Sequence, residues 1–204
     1  MRAVVITGGQ VNDYAYLQKC LRAHDFVIAA DGGYHHARAL GLVPDRLLGD
    51  FDSIGDLPEG IVCERFPAEK DKTDTELALD LVEELGFDEI LILGAIGTRM
   101  DHTLANIFLL QGLYQRGIRA SIVDEHNQIF FVDREIDLQC EAGQLVSLLP
   151  LTHCQGVTTD GLRYALKGVN LEFGKSIGVS NEALAARVQI RLQAGAMLVL
   201  LCCD

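Results

Sequence analysis

The sequence predicts an α/β N-terminal domain with a mostly parallel sheet, followed by a C-terminal all-β domain built as a sandwich or barrel. Two observations carry this prediction. Between residues 3 and 124, short β-branched runs alternate with helical patterns, the signature of βα units. From about Gln128 onward the helical period disappears and short alternating runs replace it. At 204 residues, 49% of them hydrophobic, the chain is long and apolar enough to bury the cores this requires.

The N-terminal strands are expected at Ala3 to Thr7, Phe26 to Ala30, Leu47 to Gly49, Val62 to Phe66, Glu89 to Gly94 and Arg119 to Asp124. One helix opens at Thr73-Asp74-Thr75-Glu76, which fits a capping box, with Leu77, Leu81 and Leu85 recurring at i+4 before Gly86. Another opens near Asp101, carries Leu104, Ile107 and Phe108 on one face toward the sheet, and stops around Gly117. The polarity rises and the period changes at Glu125 to Asn127, which places the domains at 1–125 and 126–204. The second domain should hold strands at Gln128 to Val132, Gln144 to Leu149, Val169 to Leu171, Val188 to Leu192 and Met197 to Leu201. The last two flank Gln193-Ala194-Gly195-Ala196, a candidate hairpin turn.

Charge removes several function classes. With 29 acidic and 17 basic residues the net charge is −12, so nucleic acid and anionic membrane are poor partners for a chain that repels phosphate. Apolar runs such as Met197 to Cys203 fall far short of the ~20 residues that a spanning helix needs. The N-terminus has no secretory apolar stretch, which predicts a cytoplasmic protein. The six cysteines show no C-x-x-C pair and read as reduced thiols.

Four carboxylate clusters follow predicted strands: Asp31-Gly32-Gly33, Gly49-Asp50-Phe51-Asp52-Ser53, Lys70-Asp71-Lys72-Thr73-Asp74 and Arg99-Met100-Asp101-His102. Carboxyl ends of strands are where open α/β sheets bind ligands. In an extended segment Asp50 and Asp52 would share one face, roughly 6 to 7 Å apart, with Phe51 turned into the core. Two bare carboxylates at ~6 Å repel by roughly 3 kcal/mol at an effective dielectric near 20, and a cation relieves this. The hard oxygen ligands favour Mg²⁺ or Mn²⁺ over zinc. Lys70, Lys72 and Arg99 supply the positive charge that phosphate binding requires. Thr7-Gly8-Gly9 and Gly94-Ala95-Ile96-Gly97-Thr98 are candidate phosphate cradles, although neither matches a dinucleotide or P-loop fingerprint. His102 fits either a base or an orienting hydrogen-bond partner.

Taken in order, these clusters, the continuation Asp101-His102-Thr103-Leu104-Ala105-Asn106, and Gly178-Val179-Ser180-Asn181-Glu182 resemble the motif set of the thiamine pyrophosphokinase family. The resemblance runs over nearly the whole chain and implies an α/β catalytic domain, a β-sandwich that helps to bind thiamine, a homodimer, ATP as donor, and Mg²⁺. It implies metal and phosphate-site roles for Asp50, Asp52 and Asp74, and further active-site roles for Asp31 and Asp101. Lys72 and Arg99 would be phosphate contacts. Gly32, Lys70 and Thr73 would border the nucleotide, and Ser180 and Asn181 would contact thiamine. The implied reaction moves the diphosphoryl group of ATP to the thiamine hydroxyl, giving thiamine diphosphate and AMP. The alternatives are a non-catalytic sensor of nucleotide or thiamine diphosphate, and a kinase for another hydroxylated acceptor.

Overall fold

Aliphatic and β-branched runs become buried strands in the N-terminal part, and the polar, glycine-bearing stretches between them become the loops that carry the acids. A computed structural model describes residues 1–52, 54, 60–67, 69 and 71–203. The chain divides into two compact units, Met1–Glu125 and His126–Asp204.

The first unit runs β1 (Arg2–Ile6), α1 (Tyr14–Cys20), β2 (Phe26–Ala30), α2 (Gly33–Ala39), β3 (Arg46–Gly49), β4 (Val62–Arg65), α3 (Asp74–Glu84), β5 (Glu89–Leu93), α4 (Met100–Gln115) and β6 (Arg119–Val123). Its strands lie in the order β6-β5-β1-β2-β3-β4, and every neighbouring pair is parallel. The chain thus lays down β1 to β4 in one direction, then crosses to the other side of β1 with β5. That reversal between β1 and β5 is the topological switch point, where loops leaving adjacent strands diverge and open a crevice.

The helix expected at Thr73 forms. The Thr73 hydroxyl accepts from the Glu76 backbone N–H at 3.2 Å, and Gly86, at φ +79°, ends the helix with its N–H on the Glu83 carbonyl. The face differs from the leucine row read in the sequence. Thr75, Ala78, Leu79 and Val82 are the buried residues, while Leu77 and Leu81 are half-buried and Leu85 is exposed. In α4 the difference is larger. Thr103, Asn106, Leu110 and Leu113 face inward, whereas Leu104 and Phe108 are 44% and 54% exposed. Small and polar residues hold the inner face because the first turns of α4 bond to a loop rather than to apolar side chains, as described below.

The second unit is an all-β sandwich. One sheet has the order β12-β9-β14-β7, formed by Asn127–Val132 (β7), Leu145–Pro150 (β9), Asn181–Glu182 (β12) and Met197–Cys202 (β14). The other has the order β11-β10-β13-β8, formed by Glu135–Gln139 (β8), Cys154–Asp160 (β10), Val169–Leu171 (β11) and Arg187–Arg191 (β13). Their inner faces share one core that includes Val146, Leu148, Val157, Val188, Ile190 and Val199. The turn at Gln193 to Ala196 is not a hairpin, since β13 pairs with β8 and β10 while β14 pairs with β7 and β9. Gly195, at φ +99°, lies so close to the chain at His153 that an added Cβ would stand 2.4 Å from that carbonyl oxygen. The segment crosses between sheets. β10 and β12 lack a clear apolar alternation, whereas β8 does alternate, with Ile136 and Leu138 set between Glu135, Asp137 and Gln139; none of the three is among the strands expected from the sequence. All six cysteines are free, and burial raises the Cys140 and Cys154 thiols above their ordinary range, which favours the neutral thiol over the nucleophilic thiolate.

Asn181, 7% exposed, closes the edge of this unit. Its side-chain oxygen accepts from the Tyr164 and Glu182 N–H groups and its nitrogen donates to the Tyr164 carbonyl, at 2.9 to 3.0 Å. Asn181→Ala should lower stability by about 1–2 kcal/mol, because water reaches the freed Tyr164 backbone only in part. Chemical denaturation that leaves the midpoint unmoved would show that the clamp carries no stability.

Candidate active site

Backbone is packed against backbone at the switch point. The loop after β1, Thr7 to Gln10, lies on the loop after β5, Gly94 to Gly97. The Gly9 N–H donates to the Gly94 carbonyl at 2.7 Å, the Gln10 N–H donates to the Ile96 carbonyl at 2.7 Å, and the Thr7 hydroxyl donates to the Gly94 carbonyl. A Cβ on Gly9 would stand 2.2 Å from the Gly94 oxygen, and one on Gly94 would stand 2.3 Å from the Thr7 oxygen. Close approach thus requires these glycines, and the amides of Gly9 and Gln10 join the two loops instead of facing a phosphate. From the other side, the Asn106 amide donates to the Ala95 carbonyl at 2.8 Å. The Thr103 hydroxyl accepts from the Gly97 N–H and donates to the Gly97 carbonyl.

Above these loops opens a cleft of about 750 Å³, a volume suited to a small ligand. Of the residues expected at the site it gathers Asp31, Gly32, Lys72, Thr73, Asp74 and Arg99, together with His102. Asp31 follows β2 and Asp74 opens α3. The first turns of α3 and α4 both border the space, so the positive ends of two helix dipoles face it. Thr103 and Asn106 were quoted in the sequence motif without a role. Their signal is that two polar residues occupy the inner face of an otherwise apolar helix.

Among the described residues of the first unit, Asp50, Asp52 and Asp101 do not border the cleft. Asp50 and Asp52 follow β3, where Phe51 is buried as predicted, but the segment is not extended. Phe51 takes a left-handed φ of +68° and the Asp50 carboxylate accepts from the Asp52 N–H at 3.0 Å, an Asx turn. The alternation that would put both carboxylates on one face is therefore broken. Asp31, itself at φ +45°, packs beside Gly49, whose added Cβ would lie 3.1 Å from the Asp31 Cβ, and so stands next to the strand end carrying Asp50. Asp101 faces Arg99. Ser180 and Asn181 belong to the second unit, and Lys70 and Ser53 lie outside the described residues.

Both cations of the site have carboxylate partners. The Lys72 ammonium sits 2.6 Å from Asp80 and 3.7 Å from Glu76, and its hydrogen bond to Asp80, then the charge of Asp80, raises its pKa. Arg99 forms a forked pair with Asp101 at 2.7 and 3.3 Å. The Arg99 guanidinium and the His102 backbone N–H hold the Asp101 carboxyl down at about 2. All of these side chains reach solvent, so each pair is weak and exchangeable.

An open parallel sheet with acids, cations and two helix N-termini around a cleft at its switch point is the arrangement of an enzyme acting on phosphorylated substrates. Residues 17–122 match the Thiamin pyrophosphokinase catalytic domain family, and residues 133–197 match the Thiamin pyrophosphokinase vitamin B1 binding domain family. The chain is 29% identical to a thiamine pyrophosphokinase of Bacillus subtilis over 205 aligned residues, 96% of each chain. The crystal structure of a thiamine pyrophosphokinase from that organism covers all of both chains with a TM-score of 0.91 at 26% identity. That of a Geobacillus thermodenitrificans thiamin pyrophosphokinase covers 100% of this chain and 98% of its own, with a TM-score of 0.87 at 26% identity. The chain belongs to the thiamin pyrophosphokinase family.

Gly9→Ala should destabilise the first unit by about 3 kcal/mol, since only backbone movement can make room. Gly8→Ala, whose nearest neighbour would be the Gly32 Cα at 3.3 Å, should stay within about 1 kcal/mol of the parent. Equal melting temperatures for the two variants would contradict the packing. For Asp101 the folded value lies below the ordinary 3.8, so its contribution is complete above pH 3.8 and is lost as pH falls toward about 2. Arg99→Gln should return the Asp101 titration, followed by NMR, toward 3.8; an unmoved titration rules out the forked pair as its cause.

Proposed function

We propose that the cleft at the β1/β5 switch point holds the triphosphate of ATP while the enzyme carries out its family's reaction, transfer of the β,γ-diphosphoryl group to the hydroxyl of thiamine. The observation that carries this is the meeting of Asp31, Asp74, Lys72 and Arg99 with the N-termini of α3 and α4 around one cleft. In this reading the thiamine hydroxyl oxygen attacks the β-phosphorus, the bond from that phosphorus to the α,β-bridging oxygen breaks, and AMP leaves. The hydroxyl proton passes to Asp31 or Asp74, the two carboxylates on the cleft. Lys72 and Arg99 exchange Asp80 and Asp101 for phosphate oxygens, at little loss because both ion pairs are exposed. Positioning and charge stabilisation carry most of the rate.

Mg²⁺ suits these donors. Asp31, Asp50, Asp52 and Asp74 offer only hard oxygens. Among the described residues no three acidic, histidine or cysteine side chains are grouped closely enough to hold an ion by themselves, so in this reading phosphate oxygens and water would complete the coordination. Asp50, Asp52 and Asp74 would hold it, and when bound it neutralises charge on the triphosphate. In the second unit we assign Ser180 to thiamine contact and Asn181 to holding the loop that presents it, in keeping with the family match of that segment. Ser180 is exposed and its N–H donates to the Ser147 hydroxyl at 3.0 Å.

We infer a cytoplasmic homodimer. Among the described residues no helix is long and apolar enough to cross a membrane. The outward row Met100, Leu104 and Phe108 on α4 is apolar surface that a second copy would remove from water. The charge of −12 argues against a nucleic-acid partner.

Incubation of the full chain with ATP, Mg²⁺ and thiamine should yield AMP and thiamine diphosphate. ADP would point to simple phosphoryl transfer, and binding without product would favour a sensor. Asp50→Asn and Asp52→Asn should each lose turnover tenfold or more, roughly 1.4 kcal/mol of transition-state stabilisation, with the fold retained. Near-normal rates for both at saturating Mg²⁺ would remove them from the metal site.

A further inference from the structure

We propose that His36 is a positioning residue that sets the affinity for the nucleotide by holding the Gly9 carbonyl, with Tyr14 bracing the ring from its other nitrogen. His36 lies on α2, half-buried, and does not itself border the cleft. Its Nε2 is 2.8 Å from the Gly9 carbonyl oxygen, and its Nδ1 is 2.8 Å from the Tyr14 hydroxyl. A carbonyl only accepts, so Nε2 carries the proton. In the neutral ring Nδ1 is then the acceptor and the Tyr14 O–H donates to it. Every group in the chain Tyr14, His36, Gly9 thus has one role, and the ring can neither rotate nor change tautomer without losing a bond.

The need for such a bond follows from the glycine. Gly9 lines the cleft and has the freest backbone of any residue type, yet no larger residue fits, because a Cβ would strike both the Gly94 and Ile96 carbonyl oxygens. The loop must therefore be stiffened from outside. Its N–H is held by Gly94 on one side and its carbonyl by His36 on the other, so both polar groups of Gly9 are fixed. α2 is a firm support, since a Cβ on Gly33 would stand 2.0 Å from the Ile6 oxygen and the helix start is pressed onto the end of β1. Tyr14 brings α1 into the same chain and packs on the core of Val4, Ile6 and Leu17. A cleft wall fixed before the ligand arrives binds it without a further ordering loss.

This rests on the cleft being the nucleotide site, and the experiment separates the two claims. Mg²⁺-ATP binding without thiamine is measured by calorimetry on the full chain, and kcat and the thiamine KM are measured at saturating ATP. His36→Leu should weaken ATP binding about tenfold while kcat and the thiamine KM stay within about twofold. His36→Gln, whose side-chain amide N–H can reach the same carbonyl, should recover most of the loss, and Tyr14→Phe should lie between, about threefold weaker than the parent. A purely structural histidine would lower the melting temperature without this split and without rescue by Gln. Unchanged ATP binding in His36→Leu, or a Gln variant no better than Leu, overturns the proposal while parent turnover leaves the function standing. A parent chain that binds no ATP overturns the cleft assignment itself. Should His36→Leu not fold, Tyr14→Phe decides: weaker ATP binding supports the relay and unchanged binding overturns it.

Discussion

Direct contact between two stretches of backbone at the β1/β5 switch point is the constraint on which the rest of the first unit depends. Gly9 and Gly94 leave no room for a Cβ, and Gly33 places the start of α2 against the end of β1 in the same way. Three loops thereby converge with backbone directly against backbone, and the cleft is the space left above. The same closeness explains why α4 presents Thr103 and Asn106 to its inner side. Backbone carbonyls at Ala95 and Gly97 that no strand can satisfy take hydrogen bonds from this helix instead. Apolar residues at those positions would leave the buried Ala95 acceptor and the half-buried Gly97 one without these partners.

Charge in the site follows from the acidic composition. In a chain of net charge −12, cations near a cleft will have carboxylate neighbours, and Lys72 and Arg99 do. Their pairs are exposed and so weakly held, which leaves the cations free to exchange partners. The favourable field that remains whatever those side chains do comes from the N-termini of α3 and α4, which are fixed by the fold. An anion entering the cleft therefore meets a permanent part of its attraction in the backbone and an exchangeable part in the side chains.

How much of this could be read from the chain follows its physics. Strand positions emerged well in the first unit because a parallel sheet buries both faces and leaves plain aliphatic runs such as Val4-Val5-Ile6 and Ile90-Leu91-Ile92-Leu93. The capping Thr73 was readable because it is a local bond. The faces of α3 and α4 were not, since Leu104 and Phe108 obey a helical period without being the buried side. The mistaken hairpin at Gln193 to Ala196 had the same origin. A glycine between two strands signals a change of direction but not which sheet the second strand joins. Of the site, the acids were visible as clusters after strands, whereas His36 was not, because its partners Tyr14 and Gly9 are brought to it only by the packing of α1 and α2.

Backbone strain marks the same segments from a different direction. The described residues other than glycine with positive φ are Asp31, Phe51 and Ser180, and each lies in a stretch that the sequence singled out for chemistry. Such conformations cost on the order of 1 kcal/mol or more and persist only where neighbours over-determine them. The neighbours are present in each case. The Asp31 N–H donates to the Leu48 carbonyl at 2.7 Å, Phe51 is buried against Ala29 and Leu47, and Ser180 is followed by the threefold-bonded Asn181. At Asp31 and Ser180 the left-handed turn carries a polar side chain at its apex, and at Phe51 the buried ring anchors the Asx turn that runs from Asp50 to Asp52. Strain therefore falls where the chain turns sharply out of the run of its strand or loop, and the packing beneath holds it there.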